Sequence, residues 1–251
     1  MAPVVCADRP CDAGTRSPPA LRPLRYTQAP VKAILFDLDG TLLDSVPLIL
    51  DSFAHAFAAV GEPLPPPPVL ARAIGIPLRA FFLEIGKTEP EIAALIAAYR
   101  EHNLAQHDGR VRAFPGVVDL VTELRARGFR TALVTSKNRL GAERGLRIIG
   151  LGDAMDVLVS CDDVARPKPD PEPVDRALAW LGVDATEAVF VGDSLHDLHC
   201  GRAAGVRTAA ALWGPFTRAD LAAGAPDYWL ETPADLLAVV PAAVCADPPP
   251  A

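Results

Sequence analysis

Apolar residues along this chain fall into two alternating rhythms. Short, nearly continuous apolar runs at Val31–Phe36, Thr131–Thr135, Val157–Ser160, Ala188–Val191 and Val206–Leu212 have the length of buried strands. Between them lie stretches in which apolar positions recur at helical spacing. These are Val117–Arg127, stopped by Gly128, then Glu172–Leu181, and a third that runs from beyond Val191 through Ala204. Continuous apolar strands separated by helices predict a parallel sheet covered on both faces, because each parallel connection needs a crossover and each crossover helix buries a face of the sheet.

One stretch breaks the rhythm. Residues 46–113 read as helices at Leu48–Val60, Leu70–Ala73, Leu78–Ile85 and Glu91–His107, with the proline run Pro65–Pro68 splitting the first two and no strand among them. A helical insert placed directly after the first strand is expected to lie as a cap over the carboxyl edge of the sheet, where open α/β sheets bind ligands. The predicted architecture is therefore α/β, a doubly wound parallel sheet formed by residues 31–45 and 114–238 with an inserted small α-helical cap at 46–113. Residues 1–30 are rich in Pro, Arg and small residues without hydrophobic period, and are read as a disordered leader. The Pro- and Ala-rich residues 239–251 are read as a disordered tail.

Composition narrows the function classes. With 251 residues, half of them hydrophobic and 22% charged, the chain has the make-up of a soluble globular protein. A net charge of −7 gives no electrostatic footprint for nucleic acid or an anionic membrane. Five cysteines, Cys6, Cys11, Cys161, Cys200 and Cys245, show no zinc-type pairing and argue against a disulfide framework, so a cytoplasmic location is expected. Either a monomer or a homodimer is compatible with the sequence.

The polar residues that matter fall at strand ends. Asp37-Leu38-Asp39-Gly40-Thr41 follows the first strand, Thr135-Ser136-Lys137-Asn138 the second, Lys168 sits within Arg166–Pro171, and Gly192-Asp193-Ser194-Leu195-His196-Asp197 follows the fourth. On a parallel sheet these ends converge, bringing carboxylates, a hydroxyl and an ammonium into one small volume. Two buried carboxylates as close as Asp37 and Asp39 are costly without a cation, and a hard cation such as Mg²⁺ takes carboxylate and carbonyl oxygens while also binding phosphate. The inventory fits phosphoryl transfer, which needs an in-line nucleophile, a charge-neutralising cation and donors around the equatorial oxygens. His196 and His199 flank the acidic cluster but are read as bystanders, since Mg²⁺ prefers oxygen. Lys137 is read as a surface lysine near the phosphate, with no role assigned.

With all four clusters present in order, the chain resembles the haloacid dehalogenase superfamily, specifically its phosphatases with a helical cap, over residues 31–238. The resemblance implies Asp37 as nucleophile and magnesium ligand, and Asp39 as general acid/base with its backbone carbonyl on the metal. It implies Gly40, Thr41, Thr135, Ser136 and Lys168 around the phosphoryl group, with Lys168 neutralising the nucleophile. Asp193 becomes a further metal ligand and Asp197 its support. In the cap, Arg79 is the strongest candidate for an anionic substrate group, because guanidinium binds carboxylate and phosphate in bidentate fashion. Asp44, at the entrance to the cap, resembles a hinge residue that faces the substrate.

The expected activity is magnesium-dependent hydrolysis of a small phosphorylated metabolite such as 2-phosphoglycolate through an aspartyl-phosphate. The alternatives are a pyrophosphatase, which the Gly-x-Pro-Leu and Tyr-Arg-x-x-Asn…His-Asp segments of the cap also resemble, and a β-phosphoglucomutase-type phosphosugar mutase. A catalytically dead binding module would lack Asp37, Asp39, Lys168 or Asp193, and none is missing.

Overall fold

The computed structural model describes residues 29–240. The leader before Ala29, the tail after Val240, and with them Cys6, Cys11 and Cys245, lie outside the described residues. Eight strands are present among those described: β1 (Ala33–Phe36), β2 (Leu43–Asp44), β3 (Arg112–Ala113), β4 (Arg130–Val134), β5 (Val157–Val159), β6 (Ala188–Gly192), β7 (Arg207–Ala211) and β8 (Tyr228–Leu230). Ten helices accompany them: α1 (Val46–Ala59), α2 (Pro67–Ala71), α3 (Leu78–Glu84), α4 (Glu89–Arg110), α5 (Val117–Ala126), α6 (Arg139–Ile148), α7 (Glu172–Leu181), α8 (Leu195–Ala203), α9 (Arg218–Leu221) and α10 (Asp235–Val239).

Six strands form one parallel sheet in the order β5-β4-β1-β6-β7-β8. The period-two alternation of a strand explains the double winding. In β1, Ile34 and Phe36 join the core beneath α5 and α6, while Ala33 and Leu35 join the opposite core beneath α7 and α8. All four β1 residues are buried, which is why the sequence shows an unbroken apolar run rather than alternation. β1 lies between β4 and β6 in matched register, Phe36 facing Leu133 on one side and Val191 on the other. The chain thus leaves β1 for both neighbours, and the ends of these three strands open onto a single crevice.

The four helices between β2 and β3 have their own core of Phe53, Phe57, Phe81, Phe82, Leu95 and Tyr99, with Phe53 edge-on to Phe81, Phe82 and Tyr99. Pro47, and Pro67 from the run that splits the first two helices, stand in the first turns of α1 and α2. There the missing N–H has no partner to lose and the ring fixes a helical φ, so both helices start earlier than their apolar pattern suggests. The insert was expected to be strand-free, but its last two residues form β3, which pairs antiparallel with β2 through Leu43–Ala113 and Asp44–Arg112. This ribbon carries the chain into and out of the helices. Two further features extend the core beyond expectation. β8 adds an edge strand, and α10 with the buried Val240 continues the fold past residue 238.

Candidate active site

The site is built from strand ends. The Asp37 amide still bonds to the Val191 carbonyl at 2.9 Å, so its carboxylate emerges where the sheet stops. Gly40 then turns the chain with φ of 92°. Glycine is required there twice over: an L side chain is strained at that φ, and a Cβ would lie 2.3 Å from Asp193 Oδ2. Thr41, fully buried, donates its hydroxyl to Asp193 Oδ1 at 2.8 Å. Gly40 and Thr41 were expected around the phosphoryl group. They pack against and orient Asp193, because the turn folds them under the end of β6.

Asp37, Asp193 and Asp197 are all buried, and one carboxylate oxygen from each lies within 4.8 Å of the others. Lys168 Nζ sits among them, donating to Asp37 Oδ1 at 2.7 Å, Asp197 Oδ1 at 2.6 Å and the Val134 carbonyl at 3.3 Å. Three buried acids against one buried ammonium leave an excess of negative charge. Burial, then the charges of Asp197 and Asp39, push the Asp37 carboxyl up to about 7 despite the opposing pull of Lys168. Burial and the neighbouring acids raise Asp193 well above the usual carboxylate range. Its Oδ2 is a buried atom with no hydrogen-bond partner. An all-oxygen donor set, excess negative charge and an orphaned carboxylate oxygen together fit a hard divalent cation such as Mg²⁺.

Asp197 caps α8. Its Oδ2 accepts from the Ser194 amide at 3.1 Å and the Ser194 hydroxyl at 2.6 Å. With Oδ1 on Lys168, both oxygens are engaged. His196 and His199 contribute no nitrogen to the carboxylate group.

The Asp39 side chain does not join that group; it points to a second one. Its carboxylate accepts from Ser45 Oγ at 2.6 Å and from Lys137 Nζ at 2.9 and 3.0 Å. Burial alone would raise this carboxyl, but Lys137 and Ser45 hold it below its ordinary value. Lys137 is therefore a site residue that sequence reasoning passed over as a surface lysine. The available signal was its place beside Thr135 and Ser136 at the end of β4.

A cavity of 250 Å³ lies between the strand ends and the helical insert. Asp37, Asp39, Thr135, Ser136 and Lys137 line it from the sheet side, and Gly75, Tyr99, Asn103 and His107 from the helices. Thr135 is buried and its hydroxyl accepts from the Lys137 amide at 3.1 Å, while Ser136 Oγ donates to the Gly75 carbonyl at 2.7 Å and so ties core to insert. Arg79 reaches the wall with a side chain 59% exposed and ion-paired to Glu89. Asp44 does not line the cavity. In the β2–β3 ribbon the alternation that buries Leu43 turns Asp44 to solvent.

The comparisons agree with this geometry. Residues 34–211 match the model of the family described as haloacid dehalogenase-like hydrolase. A protein of Halalkalibacterium halodurans named pyrophosphatase PpaX is 38% identical over 211 residues, covering 84% of this chain and 97% of that protein. Among solved structures, a putative phosphoglycolate phosphatase from Lactobacillus plantarum superposes with a TM-score of 0.73 at 29% identity, over 84% of this chain and 99% of that one. CbbY from Rhodobacter sphaeroides, solved with phosphate, gives 0.72 at 30% identity over 84% and 99% of the two chains. The chain belongs to the haloacid dehalogenase-like hydrolases and is an enzyme of that family.

Proposed function

We propose that this hydrolase is a magnesium-dependent phosphatase that works through an aspartyl-phosphate on Asp37 and acts on a small anionic phosphate, pyrophosphate foremost. The observation that carries the reading is Asp37 in the lining of a cavity of about 250 Å³, its carboxylate paired to the buried Lys168 and two further carboxylates beside it. In the first step an Asp37 oxygen attacks phosphorus as the bond to the leaving oxygen breaks. In the second, water attacks the aspartyl-phosphate, its proton passes to Asp39, and Asp37 is released. Lys168 opposes the protonation of Asp37 that burial favours. Asp37 and Asp193 would hold the ion, Asp197 supporting them and the Asp39 carbonyl contributing. Once bound, Mg²⁺ neutralises phosphoryl charge.

The state of Asp39 bears on the substrate. Held ionised by Lys137, it is better suited to accept a proton from water than to donate one to a leaving group. Phosphate, the leaving group of pyrophosphate, departs with less need of protonation than the alkoxide of 2-phosphoglycolate. The name of the pyrophosphatase relatives supports this reading, and 2-phosphoglycolate, the substrate in the names of two structural neighbours, is the second candidate. A mutase has no observation in its favour here. Phosphate release from pyrophosphate, 2-phosphoglycolate, sugar phosphates and nucleotides, with and without Mg²⁺, tests the reading. Magnesium-dependent release from pyrophosphate above the others is expected, and release from none would contradict it.

Lys137→Met provides a second test. Removing the cation leaves burial as the dominant influence on Asp39, so its pKa rises. Once Asp37 carries the phosphoryl group only Asp39 must be ionised for water to attack, so the acidic limb of the dephosphorylation rate against pH is expected to move to higher pH. An unmoved limb would mean that Lys137 does not set the ionisation of Asp39.

A further inference from the structure

One titratable side chain on the cavity wall has no part in the chemistry above. His107, in the last turn of α4, is only 2% exposed, and its Nε2 is a buried atom with no hydrogen-bond partner. Leaving a buried polar nitrogen unpaired is costly, and such atoms in folded proteins call for an explanation, a ligand being one. Its Nδ1 faces outward to the exposed Asp108, 3.3 Å from Oδ1, and Arg144 of α6 donates to that same oxygen at 2.7 Å. The outer edge of the ring is thus held by a bridge from insert to core, which leaves Nε2 on the inner edge. Asn103, one turn earlier on the same face of α4, is also buried in the cavity wall and donates to Ser52 Oγ at 3.2 Å.

The nucleophile and Lys168 belong to the sheet edge, whereas His107 and Asn103 belong to the insert. A substrate whose transferable phosphoryl rests on Asp37 therefore presents its other end to α4. We propose that His107 is a specificity-determining residue whose Nε2 binds the anionic far end of the substrate, the second phosphoryl of pyrophosphate or the carboxylate of 2-phosphoglycolate. The proposal rests on the hydrolase reading above and adds which side chain recognises the leaving group.

Burial above all, with Lys137 and Arg144, holds the imidazole below its ordinary value against the pull of Asp108 and Asp39. With Nδ1 donating to Asp108, Nε2 donates to an oxygen when the ring carries both protons. An arriving anion adds the negative charge that favours this state. The ring thereby couples its own protonation to occupancy by a substrate with a charged far end.

The test compares kcat and KM of the wild type, His107→Ala and His107→Gln on pyrophosphate, 2-phosphoglycolate and acetyl phosphate, with Mg²⁺ present. Acetyl phosphate offers the same transferable group with no charge at its far end. His107→Ala is expected to lose roughly 10- to 100-fold in kcat/KM on the anionic substrate the enzyme prefers, and less than about 3-fold on acetyl phosphate, as for a lost hydrogen bond to a charged group. His107→Gln, which keeps a donor on the side chain, is expected to recover part of that loss. The preferred anionic substrate identifies the far-end group. Equal losses on all three substrates, or none on the anionic pair, would overturn the proposal and leave the hydrolase reading intact. A wild type that turns over acetyl phosphate but neither anionic substrate would also overturn it. A wild type inactive on all three would overturn the hydrolase reading itself.

Discussion

Asp37→Asn is expected to abolish phosphate release and, in the absence of magnesium, to make the protein more stable. The loss of activity follows from the role of the side chain. An amide oxygen is a poor nucleophile, and removal of a catalytic nucleophile costs on the order of 10⁴-fold or more in kcat. The gain in stability follows from burial. The Asp37 carboxyl is pushed up from 3.8 to about 7, burial being the largest cause, so the folded state binds its proton more tightly than the unfolded state does. Stability therefore falls as pH rises through that window, and above it the full penalty of an ionised buried carboxylate is present. Asn copies the shape of the protonated acid and carries no charge. The difference in melting temperature between Asp37→Asn and wild type should be largest above pH 7 and should vanish below the unfolded-state value of 3.8. Magnesium should reverse the order, since a cation that binds only the folded wild type adds stability by mass action. Equal melting temperatures across the pH range in chelator would contradict this account of the cluster.

Lys168→Met is expected to be the most destabilising change in the site. The ammonium donates to two carboxylates and a carbonyl while almost completely buried. Burial disfavours its charge, but Asp197 and Asp37 more than offset that and raise its pKa. Methionine fills much of the same space and leaves Asp37, Asp193 and Asp197 clustered with no cation. Breaking a buried pair in this way costs about 3–5 kcal/mol. Urea unfolding measures the loss, and stability should recover as pH is lowered and the carboxylates take up protons. Activity should fall by on the order of 10³-fold, as when a preorganised donor is removed from a transition-state site. A loss below about 1 kcal/mol, the size of an exposed ion pair, would show that this lysine is not the counter-charge of the cluster.

Much of this was legible in the sequence, for identifiable reasons. β1, β4 and β6 are buried on both faces, so each appears as an apolar run, and the residues that end those runs necessarily meet at one edge. That logic reaches Asp37, Lys168, Asp193 and Asp197, which the fold gathers within hydrogen-bonding or short electrostatic range. The helical insert was equally plain from its lack of strand-like runs.

What escaped has a different character. β2, β3 and β8 are two or three residues long, too short for any periodicity. Their existence depends on partners that the sequence does not display. Gly40 and Thr41 sit in the first acidic motif, yet they support Asp193, 152 residues away from Thr41, a contact invisible along the chain. Lys137 and Asp39 are 98 residues apart and pair only because β4 lies beside β1. His107 looks like any polar residue near a helix end until the bridge through Asp108 to Arg144 shows which way its ring is turned. The solvent-facing side chain of Asp44 escaped because a two-residue strand turns adjacent residues to opposite faces.

The central claim is that Asp37 carries the phosphoryl group during turnover. It is tested most directly by reacting Asp39→Asn with acetyl phosphate and Mg²⁺, quenching in acid and locating the modification by peptide mass spectrometry. Acetate leaves without protonation, so the first step proceeds, and the missing base stalls the second. The account predicts a phosphoryl group on Asp37 that accumulates in Asp39→Asn and is absent when Asp37 is also changed to Asn. Phosphate release with no phosphoryl on Asp37, or a phosphoryl on another residue, would contradict it.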